Sequence, residues 1–301
     1  MPLRRDTAMS VLRPPDPTAA TNRSPTSNDE IALGTWSLAV ENNGSNDFIG
    51  YLRGVTLAIT GTVITNKPIT GPDAVFNAVS LQTGAIAPGE VVNIQGLNLG
   101  PSPAVVASAG DLPTSLAGVQ VTFDGAPAAI SYASSSVLTV QVPFSVQPGK
   151  QTDTRVIYQS MSSDSVTLDV LNVATGVYTQ SANGRSPVTA VNPDGSLNSV
   201  SHPAPKGQIV TIYAAGLGTV TPALATGQTP PSSPVSTTVS PVTVEVDGIG
   251  ANVPFAGAAP GFPGLYQINF QIPQGAGSGT RSLVLNSQGV FSQFGITIFV
   301  H

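Results

Sequence analysis

The sequence predicts an all-β fold: two tandem β-sandwiches behind a short N-terminal β-hairpin. Three observations predict it. Apolar residues alternate with polar ones over short runs that end at turn residues about every 8–12 positions. The composition is poor in charge and rich in Gly and Pro. One stretch of the pattern occurs twice in the same order.

Of the 301 residues, 9% are charged and 41% hydrophobic, with 31 Gly, 27 Pro and no Cys. An average soluble chain is about 25% charged. Coiled coils and helical bundles, which need Glu, Lys, Leu and Ala on defined faces, are excluded. So is disorder driven by charge repulsion, because the apolar content is too high. Without Cys there is no disulfide framework, zinc–thiolate site or cysteine nucleophile. A net charge of -5 argues against a nucleic-acid partner, which requires a basic footprint. No apolar run approaches the ~20 residues of a membrane helix. Solubility carried by hydroxyls and amides fits an extracellular or cell-surface location. Residues 1–10 hold Arg4 and Arg5 but no apolar core after them, so they do not read as a signal peptide. The expectation is a chain that is the tail of a longer secreted protein, or whose start lies upstream.

Taken in order, residues 1–30 show little apolar periodicity, and Pro14, Pro15 and Pro17 exclude a helix or central strand there. This segment is expected to be poorly ordered. Residues 31–61 read as a hairpin. Trp36, Leu38 and Val40 alternate in one strand, and Tyr51, Arg53, Val55, Leu57 and Ile59 alternate in the next. Residues 62–74, with Lys67-Pro68 and Gly71-Pro72, read as a linker. Beyond them the chain is strand and turn throughout. Val119, Val121 and Phe123 alternate before Asp124-Gly125, and Leu138, Val140 and Val142 before Pro143. Val242, Val244 and Val246 alternate before Asp247-Gly248, and Ile268, Phe270 and Ile272 before Pro273.

The internal repeat divides this region. Ala87-Pro88-Gly89-Glu90-Val91-Val92 through Gly96-Leu97 returns as Pro205-Lys206-Gly207-Gln208-Ile209-Val210 through Gly216-Leu217. Phe123-Asp124-Gly125 returns as Val246-Asp247-Gly248, and Leu138-Thr139-Val140-Gln141-Val142-Pro143 as Ile268-Asn269-Phe270-Gln271-Ile272-Pro273. Three matched blocks in one order predict two homologous sandwiches, residues 75–172 and 173–301, each large enough for its own two-sheet core.

These blocks resemble the IPT/TIG immunoglobulin-like fold. More narrowly, residues 75–301 are similar to uncharacterised C-terminal domains of large secreted or surface proteins of acidobacteria. That resemblance rests on Asn192-Pro193-Asp194-Gly195, Tyr213-Ala214-Ala215-Gly216-Leu217-Gly218 and Ala259-Pro260-Gly261-Phe262-Pro263-Gly264-Leu265-Tyr266. It implies tandem immunoglobulin-like β-sandwiches and a location, but no activity. Gly34-Thr35-Trp36-Ser37-Leu38, with Gly50-Tyr51-Leu52-Arg53-Gly54-Val55-Thr56-Leu57, resembles the C-terminal end of a proprotein-convertase P domain. Val55 stands where that pattern has a second Trp. The rest of a P domain is not recognisable in residues 1–30, so either the chain begins inside a longer product or the domain has decayed.

Candidate chemistry is sparse. The two histidines are His202 and His301. His301 is the last residue and is expected to fray. His202 follows Ser201 and precedes Pro203, without a Gly-x-Ser-x-Gly elbow anywhere, and reads as turn chemistry. Glu30, Glu41, Glu90 and Glu245 do not suggest the facing acid pair of a glycosidase. Asp124 and Asp247, each before Gly, read as residues that cap their own turns. Asn42, Asn43, Asn46 and Asp47 form an oxygen-rich loop, a weak calcium candidate without EF-hand spacing. No other cofactor is expected. Phe255, Phe262 and Tyr266 surround a loop that the first repeat lacks, and they form the candidate ligand-contact rim, although packing over the sandwich end is the plainer reading. Trp36 and Tyr213 fall within strands. Residues 222–241 form a second long loop, a surface for partners or a flexible one.

The expected function is a non-catalytic secreted or cell-surface module for spacing, presentation or binding. Its expected partner is an upstream catalytic or surface domain, or a cell-surface polymer or protein. One alternative, implied by the P-domain resemblance, is the accessory C-terminal region of a secreted subtilisin-like serine protease whose catalytic domain is absent here. The other is a carbohydrate-binding module.

Overall fold

The computed structural model describes residues 10–12, 37–39, 67–185 and 187–301. The chain divides into two compact units, Met1–Thr65 and Asn66–His301. In the first, strand Ser10–Leu12 pairs antiparallel with Ser37–Ala39, placing Val11 opposite Leu38. Within residues 1–30, expected to be poorly ordered, Ser10–Leu12 is the described segment, a short apolar run ahead of Pro14. The second strand of the expected hairpin, around residues 51–59, lies outside the described residues.

The second unit holds two sandwiches, each with its own core. In the first, one sheet runs in the order Val75–Asn77, Val91–Gln95, Val137–Gln141, Ala129–Ala133, Val105–Val106. Its partner sheet centres on Gln151–Tyr158 and Val119–Phe123, with Val166–Asp169 at one side. The second sandwich repeats this plan. Ile209–Ala215, Tyr266–Gln271 and Phe255–Ala258 are successive neighbours in one sheet, and Val242–Val246 and Gly279–Ser287 are neighbours in the other. The paired strands are antiparallel, with isolated parallel bridges at Ile86–Val170, Pro187–Thr297 and Ala204–Val300. The described residues contain a 3-10 turn, Pro72–Ala74, and no α-helix.

Period-two alternation builds both cores. Along Val119–Phe123 the residues Val119, Val121 and Phe123 are buried, and Gln120 faces solvent. Val92 lies opposite Val140 and Ile94 opposite Leu138. At the matching places Val210 lies opposite Phe270 and Ile212 opposite Ile268. The first core gathers residues between Val75 and Val170, and the second between Val177 and Val300. Full burial of one such Phe or Ile contributes about 1.5–3 kcal/mol.

The repeated Gly-Leu has a steric cause. At Gly96 a Cβ would collide with the carbonyl oxygen of Ile69, and at Gly216 with that of Ala174. In each sandwich the chain entering the domain crosses at the repeat's glycine. Ile69 N–H donates to Leu97 O and Leu97 N–H to Ile69 O, both at 2.9 Å, and Ala174 N–H donates to Gly216 O at 2.7 Å. The described part of the expected linker thus runs along the first sandwich at Ile69.

Asp124 and Asp247 adopt φ of +49° and +57°, each ahead of a positive-φ glycine, so both are turn residues. Their carboxylates, however, reach across the sheet and do not cap their own turns. Asp124 accepts from Asp153 N–H and Asp247 from Gly277 N–H, both at 2.9 Å.

Candidate binding cleft between the two sandwiches

Two loops of the second sandwich reach onto the first. Residues 222–241, expected as a surface for partners or a flexible loop, form a clamp. Gly227 O accepts from Leu112 N–H at 2.8 Å, and Gly227 N–H donates to Gln141 Oε1 at 2.7 Å. Thr229 N–H donates to the Asp111 carboxylate at 2.7 Å, and Phe144 N–H to Thr226 Oγ1 at 3.2 Å. The Thr229 N–H holds the Asp111 carboxyl below the usual carboxylate range. Gly227 is required by both backbone and space. Its φ is +80°, and a Cβ would lie 2.6 Å from Leu112 O and 2.8 Å from Ala129 Cβ.

The other loop, residues 259–265, replaces the short 134–136 connection of the first sandwich. Gly264 (φ +77°) sits so close to the first sandwich that a Cβ would strike Val91 Cγ2. The two loops are tied together by Gly261 N–H donating to Pro230 O at 2.9 Å. On the linker side, Asn77 Nδ2 donates to Ala174 O at 3.0 Å and to Glu90 Oε1 at 2.8 Å. Ala87 N–H donates to Glu90 Oε2 at 2.7 Å. Glu90 is 1% exposed, and burial pushes its carboxyl up to about 8 against these two donors.

Two adjoining hollows of the cleft, each of about 350 Å³, share Tyr178 and Pro263; the first is lined from both sandwiches and the second from the second sandwich alone. The first sandwich supplies a polar floor of Asn93, Ser131, Thr139 and Gln141. These side chains face outward because their strand neighbours Val92, Ile94, Leu138 and Val140 face the core. The second sandwich supplies an aromatic wall of Tyr178, Tyr213 and Phe262, with Leu265 and Thr189 beside them. Among the described residues no acid, lysine, arginine or histidine lines either hollow. Burial raises the Tyr178 phenol, which stays protonated as a donor.

The polar floor is partly committed. Thr139 Oγ1 donates to Asn93 Oδ1 at 2.7 Å, and both residues line the first hollow. Ser131 Oγ donates to Thr139 O at 3.1 Å. Gln141 is held by Gly227 and, through Nε2, by Gly89 O at 3.4 Å. The hydroxyls of Tyr178, Thr189 and Tyr213 take no protein partner among the described residues.

The three residues of the expected rim separate in the structure. Phe262 is 62% exposed on the cleft wall. Phe255 is half-buried, outside both hollows. Tyr266 is 2% exposed and packs in the core, its hydroxyl donating to Gly218 O, so it presents nothing to a ligand. Strand parity explains it, since Tyr266 shares the inward face with Ile268 and Phe270. Tyr178, Asn93 and Thr139 were not singled out from the sequence. Their signal was available as outward polar positions of repeat strands, but nothing in one strand says which outward face a second domain will meet.

A larger cleft, about 480 Å³, is lined by Asp194, Ser196, Ser201, His202 and His301. It unites both histidines with a carboxylate, but not as a relay. Asp194 accepts from Ser196 Oγ (2.7 Å) and Ser196 N–H (2.9 Å), which hold its carboxyl below the usual range. His202 Nδ1 lies 3.0 Å from the hydroxyl of adjacent Ser201. No hydrogen bond joins acid to imidazole, as a Ser-His-Asp arrangement requires. His301, expected to fray, is paired through its backbone. Its N–H donates to Ala204 O at 3.0 Å, and its carbonyl accepts from Lys206 N–H at 3.2 Å.

Glu245 lies on a strand, and Glu90 is buried. Glu30, Glu41, Trp36 and the Asn42–Asp47 loop offered for calcium lie outside the described residues. Among the described residues no group of three or more His, Asp or Glu is placed to hold a metal ion. No helix among them is long and apolar enough to cross a membrane.

No curated protein matches the sequence. Among solved structures, the chain is similar to SGBP-B of the Bacteroides ovatus mixed-linkage glucan utilization locus, solved with a mixed-linkage heptasaccharide. The identity is 11% and the TM-score 0.32, over 79% of this chain and 46% of that one. It is also similar to the surface glycan-binding protein PbSGBP-B from Prevotella bryantii (14%, TM-score 0.23, 69% and 36%). A third is domains 5-6 of the S-layer protein SbsC (14%, TM-score 0.23, 78% and 98%). The chain spans less than half the length of the first two. TM-scores this low carry nothing about function. Residues 74–170, the first sandwich, match the IPT/TIG domain family.

Proposed function

We propose that this chain is a non-catalytic secreted or cell-surface module, with residues 75–172 and 173–301 as two immunoglobulin-like domains acting as one rigid binding unit. The observation that carries it is the cleft walled jointly by both sandwiches and held by the Gly227 clamp. Domains of one chain move relative to each other unless their interface is extensive. Here hydrogen bonds on the loop side and on the linker side hold the joint from two directions. Among the described residues the cleft has no base or carboxylate to drive hydrolysis. A location outside the cell is supported by a composition with 9% charge. The protease-accessory reading rests on residues 34–57, which, apart from Ser37–Ala39, lie outside the described residues.

The test is nuclear spin relaxation on residues 66–301, the compact unit. One rotational correlation time shared by both sandwiches is expected. Two independent times, or turnover of peptide, ester or glycoside substrates by the full chain, overturn the proposal.

A further inference from the structure

We propose that the interdomain cleft binds an uncharged polysaccharide chain, stacked on the aromatic wall of the second sandwich and hydrogen-bonded to the polar floor of the first. This rests on the rigid-unit reading above and adds the class of ligand.

Three features of the cleft select the ligand. The first is charge. Among the described residues neither hollow has an ionisable group other than tyrosine. A phosphorylated, sulfated or uronic ligand would be desolvated there without a counter-charge. The second is amphipathy. Phe262, Tyr213 and Tyr178 present aromatic surface on one side, and Asn93, Ser131 and Thr139 present amide and hydroxyl groups on the other. A pyranose ring matches both sides, with an apolar C–H face for an aromatic ring and a belt of hydroxyls that donate and accept. The uncommitted Tyr178, Tyr213 and Thr189 hydroxyls are partners for such hydroxyls.

The third feature weighs against a peptide. Peptides add to sheets at edges, where unpaired backbone groups supply the ladder. The floor is a sheet face. Val91–Gln95 is already paired on both sides, with Val75–Asn77 and with Val137–Gln141. A peptide laid there would bury amides that the few floor side chains could not all satisfy. The two hollows adjoin at Tyr178 and Pro263, so the track crosses the joint, and an extended glycan chain contacts both domains at once.

The experiment is affinity electrophoresis of the full chain through gels containing β-glucan, xylan, galactomannan or starch, with polygalacturonate as the anionic comparison. Retardation by at least one neutral polysaccharide and none by polygalacturonate is expected. Phe262→Ala, at an exposed position, and Tyr178→Ala should each weaken binding about tenfold or more, as loss of one buried aromatic contact predicts. Phe294→Ala, 88% exposed and outside the cleft, should leave it unchanged. No retardation by any neutral polysaccharide, retardation indifferent to both cleft variants, or capture of neutral peptides in place of glycans overturns the assignment. Each of these results in a chain that still tumbles as one body sinks the glycan alone. Independently tumbling sandwiches sink the reading beneath it.

Discussion

The main-chain N–H of Gly227, in the second sandwich, donates to the side-chain oxygen of Gln141, in the first, at 2.7 Å. Gln141 is 3% exposed, so this bond is made in a nearly dry joint. Gln141→Ala leaves the Gly227 N–H buried without an acceptor, which costs about 1–3 kcal/mol. Chemical denaturation should show that loss. If the sandwiches unfold as one cooperative unit in the wild type, the variant should broaden or split the transition, since the severed 2.7 Å bond joins the two cores, while the longer contact to Gly89 O (3.4 Å) falls within the first.

Gly264 tests the joint by sterics. Its φ is +77° and an added Cβ would collide with Val91, whereas Gly195 (φ +82°) has open space around it. Gly195→Ala pays only backbone strain, about 1 kcal/mol. Gly264→Ala pays that strain and must also push the 259–265 loop off the first sandwich. It should destabilise by roughly twice as much or more, and spin relaxation should show the two sandwiches decoupled. Equal losses in the two variants would mean that the loop does not hold the joint.

Glu90 gives the joint a pH dependence of defined sign. Its folded pKa is about 8 against an ordinary 4.5. Between these values the folded protein keeps a proton that the unfolded chain releases, so stability falls as pH rises from about 4.5 to 8 and is level beyond. Tyr266 senses the same charge, which adds to the effect of burial in raising its phenol. In Glu90→Gln the wild-type slope, up to about 1.4 kcal/mol per pH unit, should flatten. The variant should also lose one hydrogen bond at all pH values, because the amide nitrogen cannot accept from Asn77 or Ala87. Denaturation midpoints at pH 5, 6.5 and 8 measure both effects. Parallel profiles for wild type and variant would show that Glu90 is ionised in the fold.

Much of the fold was legible because local rules decide it. Alternation gave Val119–Phe123 and Val242–Val246, and Asp-Gly gave the turns after them. The repeat gave the two cores. The cleft was less legible, because it depends on how one sandwich meets the other. Phe262 stood out as an aromatic in an inserted loop and does line the cleft, but Tyr266, four residues on, is turned inward by strand parity. Nothing local to Gly227 or Gly264 distinguishes them from the turn glycines at 195 and 125. Only the approach of a second domain does. Glu90 likewise aligns with exposed Gln208 in the repeat, and its burial comes from the linker side of the joint.

The repeat also contains an inversion that can be exploited. Thr139 Oγ1 donates to Asn93 Oδ1 at 2.7 Å across two paired strands of the first sandwich. At the corresponding places of the second, Thr211 Oγ1 donates to Asn269 Oδ1 at 3.0 Å, so the residue types have changed strands and the bond has survived. A directly opposed cross-strand pair contributes about 0.2–1 kcal/mol. If the pair and not either residue is what each sheet needs, Asn93→Thr with Thr139→Asn should fold within about 0.5 kcal/mol of wild type. Each single substitution, leaving Thr opposite Thr or Asn opposite Asn, should cost more than the double. A double substitution as damaging as the sum of the singles would show that the first sandwich depends on Asn93 in place. The double also moves the amide to the neighbouring strand of the cleft floor. Glycan affinity should therefore change even where stability does not, separating the pair's part in the sheet from its part in the cleft.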